Sequence, residues 1–129
     1  MSLNNIINEL IVSEVEKSIE FYKNNFGFVV EFSEGNPITW AQLKKDNLVI
    51  MLEDYNEVRK EIINYPEKVN SSNLIKFEYG SVEEINNLCD VLKENGVMFF
   101  LKYKETDYGK IEYGIYDLDN NMIIISAHI

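Results

Sequence analysis

The spacing of apolar residues divides the first part of the chain into a strand, a helix and three further strands. The β-branched run at residues 6–12 predicts the first strand. Four apolar residues then recur at spacings of four, three and four, as on one face of a helix: Val15, Ile19, Tyr22 and Phe26. Ser13 or Glu14 is suited to cap this helix and Gly27 to end it. The three further strands are predicted at residues 28–32, 38–43 and 48–52.

The same order returns in the last part of the chain. Residues 74–79 alternate between apolar and polar side chains, which predicts a strand with one buried face. Ser81 and Glu84 form a capping box for a second helix, and Gly96 ends it. The apolar stripe of this helix is predicted to contain Val82, Ile85, Leu88, Val91 and Leu92. Three more strands are predicted at residues 97–103, 111–116 and 122–126.

These elements predict an α+β protein built from two βαβββ modules. The first covers about residues 3–54, the second about residues 74–129, and a linker at about 55–73 joins them. Within the linker we predict a short helix at residues 57–63, stopped near Pro66, and a polar loop at 70–73. Turns rich in Gly, Pro, Asn and Asp are predicted between the strands at residues 34–37, 44–47, 105–109 and 117–121.

A four-stranded module with one helix covers only one face of its sheet. The other face must meet a second module, a ligand or a partner chain. With 129 residues and 46% hydrophobic side chains, the chain is long and apolar enough to bury such cores as a single domain. The pattern therefore directs attention to the sheet faces that the helices leave uncovered.

Net charge narrows the range of partners. The chain carries 22 acidic and 12 basic residues, a net charge of −10. This balance argues against nucleic acid, whose phosphates require a basic footprint, and against an anionic membrane surface. It is compatible with a cationic ligand, although acidity that only keeps the protein soluble is the simpler interpretation.

The location of the protein and the role of its cysteine are predicted from the N-terminal residues, the apolar runs and the cysteine count. The N-terminal residues lack the basic and apolar regions of a signal peptide, and the sequence contains no apolar run long enough to span a bilayer. A single cysteine, Cys89, fits a reducing compartment. We therefore expect a cytoplasmic protein in which Cys89 is a packed thiol rather than a nucleophile.

Two stretches resemble motifs of the vicinal oxygen chelate superfamily, which includes glyoxalase I, bleomycin resistance proteins and extradiol dioxygenases. Residues 12–28 contain the valine, the short acidic turn, Ser18, the pair Phe21-Tyr22 and a closing Phe26-Gly27-Phe28. Asp117-Leu118-Asp119-Asn120-Asn121 resembles the late Asp-Pro-Asp-Gly-Asn turn, with departures at the second and fourth positions. The resemblance implies two βαβββ units with mixed sheets that curl around a ligand cleft, and commonly a homodimer.

The resemblance also indicates where metal-dependent members carry their ligands. The four positions hold Ile7, Met51, Leu74 and Ile124, and a shifted alignment would bring in Glu9, Glu53 or Asn73 without completing a set. The only histidine is His128, so a histidine-rich site within one chain is excluded. An all-oxygen magnesium or calcium site stays open, but the Asp117 segment is interpreted as a turn because it lacks the glycine and distal glutamate of a calcium loop. We predict no metal, no cofactor and no catalytic residue.

If the lost ligand positions face the cleft, strand alternation predicts which side chains line it. The predicted ligand-binding residues are Ile7, Glu9, Trp40, Met51, Glu53, Leu74, Lys76, Glu78, Ile124 and Ser126. Two alternatives stay open: Lys76 pairs with Glu9 or Glu53, and Trp40 belongs to the core or a dimer interface rather than stacking on a ligand.

These observations favour a metal-free protein that binds a small organic or cationic molecule, without nucleic acid or membrane partners. One alternative is a metal-dependent lyase, isomerase or dioxygenase of the same superfamily with unusual ligands. The other is a non-catalytic dimeric scaffold.

Overall fold

The computed structural model describes residues 1–62 and 74–129. The chain divides into two compact units, Met1–Val69 and Asn70–Ile129. Each contains a four-stranded mixed sheet, so the predicted α+β architecture of two strand–helix–three-strand modules is confirmed. No helix in the described ranges has the length and apolarity needed to cross a membrane.

The first unit forms one sheet in the order β1-β4-β3-β2. β1 runs parallel to β4, and the other neighbours are antiparallel. Its elements are β1 (Asn8–Val12), α1 (Val15–Phe26), β2 (Val29–Glu34), β3 (Trp40–Lys45), β4 (Leu48–Asp54) and α2 (Tyr55–Glu61).

The second unit repeats this arrangement with the sheet order β5-β8-β7-β6. β5 is parallel to β8, as β1 is to β4. Its elements are β5 (Leu74–Glu78), α3 (Val82–Glu94), β6 (Phe99–Glu105), β7 (Lys110–Tyr116) and β8 (Met122–His128).

Helix α1 has the predicted bounds and packs on one face of the first sheet. Glu14 is its N-cap residue, and Gly27 ends it with φ 79°, where its N–H donates to the Lys23 carbonyl at 3.0 Å. A backbone in this left-handed region favours glycine. The buried strand residues beneath α1 are Leu10, Val12, Ala41, Leu43, Ile50 and Leu52.

Helix α3 begins as predicted, but its buried face differs from the prediction. The Ser81 hydroxyl accepts a hydrogen bond from the Glu84 N–H at 3.2 Å, as the capping box requires. Cys89 is 1% exposed and lies in the buried stripe, whereas Val91 is 42% exposed. The prediction for Val91 was wrong because apolarity alone does not fix a residue's angle on the helix. Burial raises the pKa of the Cys89 thiol to about 11, which agrees with an unreactive packed thiol.

Helix α2 starts two residues before its predicted position at residue 57. The Asp54 carboxylate accepts from the Asn56 N–H at 2.8 Å and from the Glu57 N–H at 3.3 Å, so the helix is capped directly at the end of β4. The predicted end at residue 63, Pro66 and the loop at 70–73 lie outside the described residues.

The turn between β7 and β8 follows the prediction for the Asp117 segment. The Asp117 carboxylate accepts from the backbone N–H groups of Asp119 and Asn121, at 2.9 and 2.8 Å, and from the Asn121 side chain at 2.9 Å. Asn120 has φ 63°, which asparagine tolerates better than most residues. The carboxylates of this segment therefore organise a turn.

A glycine in β7 makes room for an aromatic ring on the sheet face opposite α3. Gly114 pairs with Ile124 of β8, and a Cβ at this position would overlap the Phe100 ring. The Phe100 ring also lies 5.0 Å, centroid to centroid, from the ring of Tyr116. Phe100 thus covers part of the helix-free face of the second sheet.

We expect Gly114→Ala to lower the free energy of unfolding by about 1–3 kcal/mol, because the added methyl group collides with a packed ring. Gly80→Ala is the control, since a Cβ there would lie no closer than 3.7 Å to its nearest neighbour. Urea denaturation measures both variants, and adding Phe100→Leu to Gly114→Ala should recover part of the loss. A Gly114→Ala variant as stable as the parent would show that the ring moves aside freely.

Candidate functional site

The face of the first sheet opposite α1 is lined by side chains that alternate with the buried core residues. Glu9 and Ile11 of β1 lie beside Met51 and Glu53 of β4 on this face. On the other side of β4, Gln42 pairs with Met51 and Trp40 pairs with Glu53. Ile7 directly precedes β1 and is 43% exposed. The structure therefore brings the predicted residues Glu9, Met51 and Glu53 together with Trp40.

At one end of this face the sheet and α2 enclose a pocket of about 220 Å³. The end of β2, the start of β3, the end of β4 and α2 all contribute to its wall. The lining residues are Glu34, Thr39, Trp40, Glu53, Glu57 and Glu61. Four of the six carry carboxylates, and one carries the only indole of the chain.

Trp40 is the first residue of β3 and is half-buried. Its register partners are Glu34 on β2 and Glu53 on β4, so the indole stands between two glutamates. The sequence had placed Trp40 in the middle of a strand and favoured the core or an interface. In the structure Trp40 lies in the wall of an acidic pocket, where its indole ring is available for contact with a ligand.

Glu53 is the residue of the pocket wall whose pKa is clearly shifted. Burial, followed by the negative charges of Glu9 and Glu61, a hydrogen bond with Glu9 and the charge of Glu57, raises the pKa of its carboxyl to about 7. Every one of these effects disfavours the ionised form. The carboxyl is therefore near half-protonation at neutral pH.

Basic side chains give this pocket little compensation. Lys60 lies 3.1 Å from the Glu57 carboxylate, and Arg59 lies over the ring of Tyr55 at 5.5 Å. Within residues 1–62 and 74–129, Glu34, Glu53 and Glu61 form no ion pair with a lysine or arginine. Counting the described residues alone, the pocket wall thus has an excess of negative charge.

The helix-free face of the second sheet has a different character, because its charges pair within the unit. Lys76 lies 3.6 Å from the buried carboxylate of Glu112, which also accepts from the Tyr108 hydroxyl at 3.2 Å. Lys110 lies 3.2 Å from Glu78. The partner of Lys76 is thus Glu112, which the sequence analysis had not considered. Because each of these two lysines pairs with a glutamate, the four side chains together give this face no excess of positive or negative charge.

Of the remaining predicted residues, Leu74 is exposed while Ile124 and Ser126 are buried. The Ser126 hydroxyl has no hydrogen-bond partner among the described residues. Because Phe100 covers the neighbouring Gly114, Ile124 is only 5% exposed and offers a ligand little surface.

The residues present do not fit the metal site of the metal-dependent relatives. The first unit holds Ile7 and Met51 at the corresponding positions, and the second holds Leu74 and Ile124. Three are hydrocarbons, and the thioether of Met51 suits only soft ions. No three His, Cys, Asp or Glu residues in the described part of the chain are grouped to hold a metal ion.

Sequence reasoning missed four residues of the pocket wall: Glu34, Thr39, Glu57 and Glu61. A signal for two of them was present. Glu53, Glu57 and Glu61 follow one another at intervals of four residues, which places the last two on one side of a helix that continues from β4. The predicted helix at residues 57–63 already places Glu57 and Glu61 on one side, but the direction in which that side faces depends on how α2 continues from β4.

Comparison with known proteins places these features in a family. The model of the Glyoxalase/Bleomycin resistance protein/Dioxygenase superfamily matches residues 3–125. No curated protein matches the sequence.

Solved structures share the fold at low sequence identity. A glyoxalase/bleomycin resistance protein/dioxygenase family enzyme from Burkholderia phytofirmans is 17% identical, with TM-score 0.82 and coverage of 95% of this chain and 97% of that one. Lactoylglutathione lyase from Agrobacterium tumefaciens is 15% identical, with TM-score 0.78 and coverage of 96% and 92%. A genomically encoded fosfomycin resistance protein from Listeria monocytogenes is 20% identical, with TM-score 0.76 and coverage of 100% and 96%. Since the family model spans nearly the whole sequence, the chain belongs to the Glyoxalase/Bleomycin resistance protein/Dioxygenase superfamily.

Proposed function

We propose that this chain is a metal-free binding protein that captures a small organic cation in the pocket around Trp40. The observation that carries the proposal is the position of the indole between Glu34 and Glu53, in a wall that also contains Glu57 and Glu61. An aromatic face and several carboxylates attract the same kind of ligand, a cation with an apolar body.

The magnitudes favour an organic cation over a neutral molecule. A cation over an indole gains about 0.5–2 kcal/mol, depending on how far it is desolvated. Each carboxylate about 4 Å away adds roughly 1–4 kcal/mol of attraction before desolvation is counted. The carboxylates surround the pocket without forming a metal-binding group, so the geometry suits a distributed charge.

Metal-dependent catalysis is the competing function within the superfamily. Its support is limited to family membership, because the four corresponding positions offer no nitrogen, oxygen or thiolate ligand. Elemental analysis of the purified protein discriminates the two: a stoichiometric transition metal whose removal abolishes an activity would replace binding by catalysis.

We also propose that the chain works in the cytoplasm as a homodimer. The buried thiol of Cys89 is compatible with a reducing compartment. β2 is an outer strand of its sheet, and its apolar side chains Val29, Val30 and Phe32 are 60%, 42% and 59% exposed. An exposed apolar strand at a sheet edge favours pairing with another chain.

Binding is tested with the fluorescence of Trp40, which has no competing tryptophan signal. Titration with benzyltrimethylammonium should change the emission and saturate, whereas benzyl alcohol, the neutral analogue, should leave it unchanged. Trp40→Leu should weaken binding of the cation, measured by calorimetry, by roughly 2- to 30-fold, the range that a lost cation–π contact gives. If neither this cation nor a panel of aliphatic ammonium ions binds, the proposed function fails.

The acidic wall is tested by removing one charge. Glu61→Gln should weaken binding of benzyltrimethylammonium roughly 1.4- to 5-fold, because an exposed charge pair contributes about 0.2–1 kcal/mol. Glu16→Gln removes the same charge from an exposed position on α1, across the sheet from the pocket, and should leave the affinity unchanged. Equal effects of both substitutions would mean that only net charge matters.

The dimer is tested by light scattering during size-exclusion chromatography. The parent chain should elute with twice the mass of one chain, and Phe32→Glu should shift it to the monomer, since a charge opposes burial of the β2 edge. Leu118→Glu changes an equally exposed residue in the turn after β7 and should remain dimeric. A monomeric parent chain at micromolar concentration would refute the homodimer.

A further inference from the structure

Glu53, in the wall of the proposed cation pocket, has a second carboxyl group beside it on the neighbouring strand. Glu9 of β1 pairs in register with Met51 of β4, and Ile11 pairs with Glu53. Glu9 and Glu53 are therefore diagonal neighbours on the same face of adjacent parallel strands. Because a neighbouring like charge disfavours ionisation, this arrangement favours a proton on Glu53.

Three further carboxyl groups and one lysine lie at the same wall. α2 contributes Glu57 and Glu61, and the end of β2 contributes Glu34. Trp40 and the preceding Thr39 do not titrate. Lys60 of α2 pairs with Glu57 of this wall, whereas Arg59 lies over the ring of Tyr55.

We propose that cation capture is coupled to proton release, with a proton held by Glu53 exchanged for the bound organic cation. The inference rests on the proposed function of the pocket and adds the regulation of that site. In the exchange, the O–H bond of the Glu53 carboxyl breaks, the proton leaves to solvent, and the positive charge of the cation balances the carboxylate that remains.

The raised pKa of Glu53 places this exchange near neutral pH. Burial and the neighbouring glutamates raise the pKa of Glu53 from its ordinary value of 4.5 to about 7. Below about pH 6 Glu53 keeps its proton, which competes with the cation; above about pH 8 its carboxyl is ionised and the competition ends.

The direction in which cation affinity changes with pH follows from the linkage between proton binding and cation binding. If the cation binds only when Glu53 is ionised, its affinity rises as pH increases and gains up to about tenfold between pH 6 and pH 8. Close to one-half proton is released per cation bound at pH 7. A site whose carboxylates are all ionised at pH 6 would show neither effect.

The experiment uses the full chain and benzyltrimethylammonium, because the charge of this quaternary ion does not depend on pH. Trp40 fluorescence measures affinity at pH 6, 7 and 8, and calorimetry in phosphate and in Tris, which differ in ionisation enthalpy, counts the protons released. Glu53→Gln should bind the cation more weakly, with little pH dependence and no proton release. Glu9→Gln should shift the pH profile to lower pH, because it removes a neighbouring charge, and Glu16→Gln should match the parent chain.

The proton itself is observed without any ligand by carbon NMR of side-chain carboxyls in the free protein. One glutamate resonance should titrate near pH 7 and be absent from Glu53→Gln, whose fold is checked by circular dichroism. If every glutamate titrates below about pH 5.5, the coupling is refuted. Cation binding with equal affinity at all three pH values refutes the coupling and leaves the binding function standing, whereas no binding at any pH refutes the binding function.

Discussion

The structure depends on one constraint: each sheet has two faces and only one of them is covered by the long helix of its unit. Burial beneath α1 and α3 supplies the apolar cores. The opposite face of each sheet must then be covered by other side chains, a second module, a ligand or a partner chain. In the second unit, Phe100 over Gly114 and the Lys76–Glu112 pair cover part of that face. The first unit leaves an acidic pocket beside Trp40.

The difference between the two faces is a difference in charge balance. Glu112 is buried, but a lysine and a tyrosine hydroxyl compensate its carboxylate. Among the described residues, Glu53 is partly buried beside the carboxylates of Glu9, Glu61 and Glu57, and these effects together raise its pKa. An uncompensated carboxylate of this kind destabilises the folded chain as pH rises through about 7, since the folded state must then give up a proton that it holds more tightly than the unfolded state. Proteins retain such destabilising groups most often at functional sites.

The sequence predicted the two modules because periodicity reports which face of a helix or strand is buried, and that information is local. It placed Glu9, Met51 and Glu53 on one face for the same reason. It did not predict the acidic wall, because the side of α2 that faces the pocket depends on how the helix continues from β4, where Asp54 caps it. It also did not find Glu112 or Phe100, since a buried ion pair and a ring over a glycine depend on which strands are neighbours.

The position of the pocket also connects the lost metal site with the proposed binding. Met51 occupies a position where metal-dependent relatives carry a ligand, and Glu53 follows it by two residues on the same face of β4. A thioether at Met51 contributes no charge, so no cation held there offsets the carboxylates nearby. Their repulsion must be relieved by a proton or by a positive ligand. Under the proposed exchange, competition between these two for the Glu53 carboxyl makes the occupancy of the pocket depend on pH.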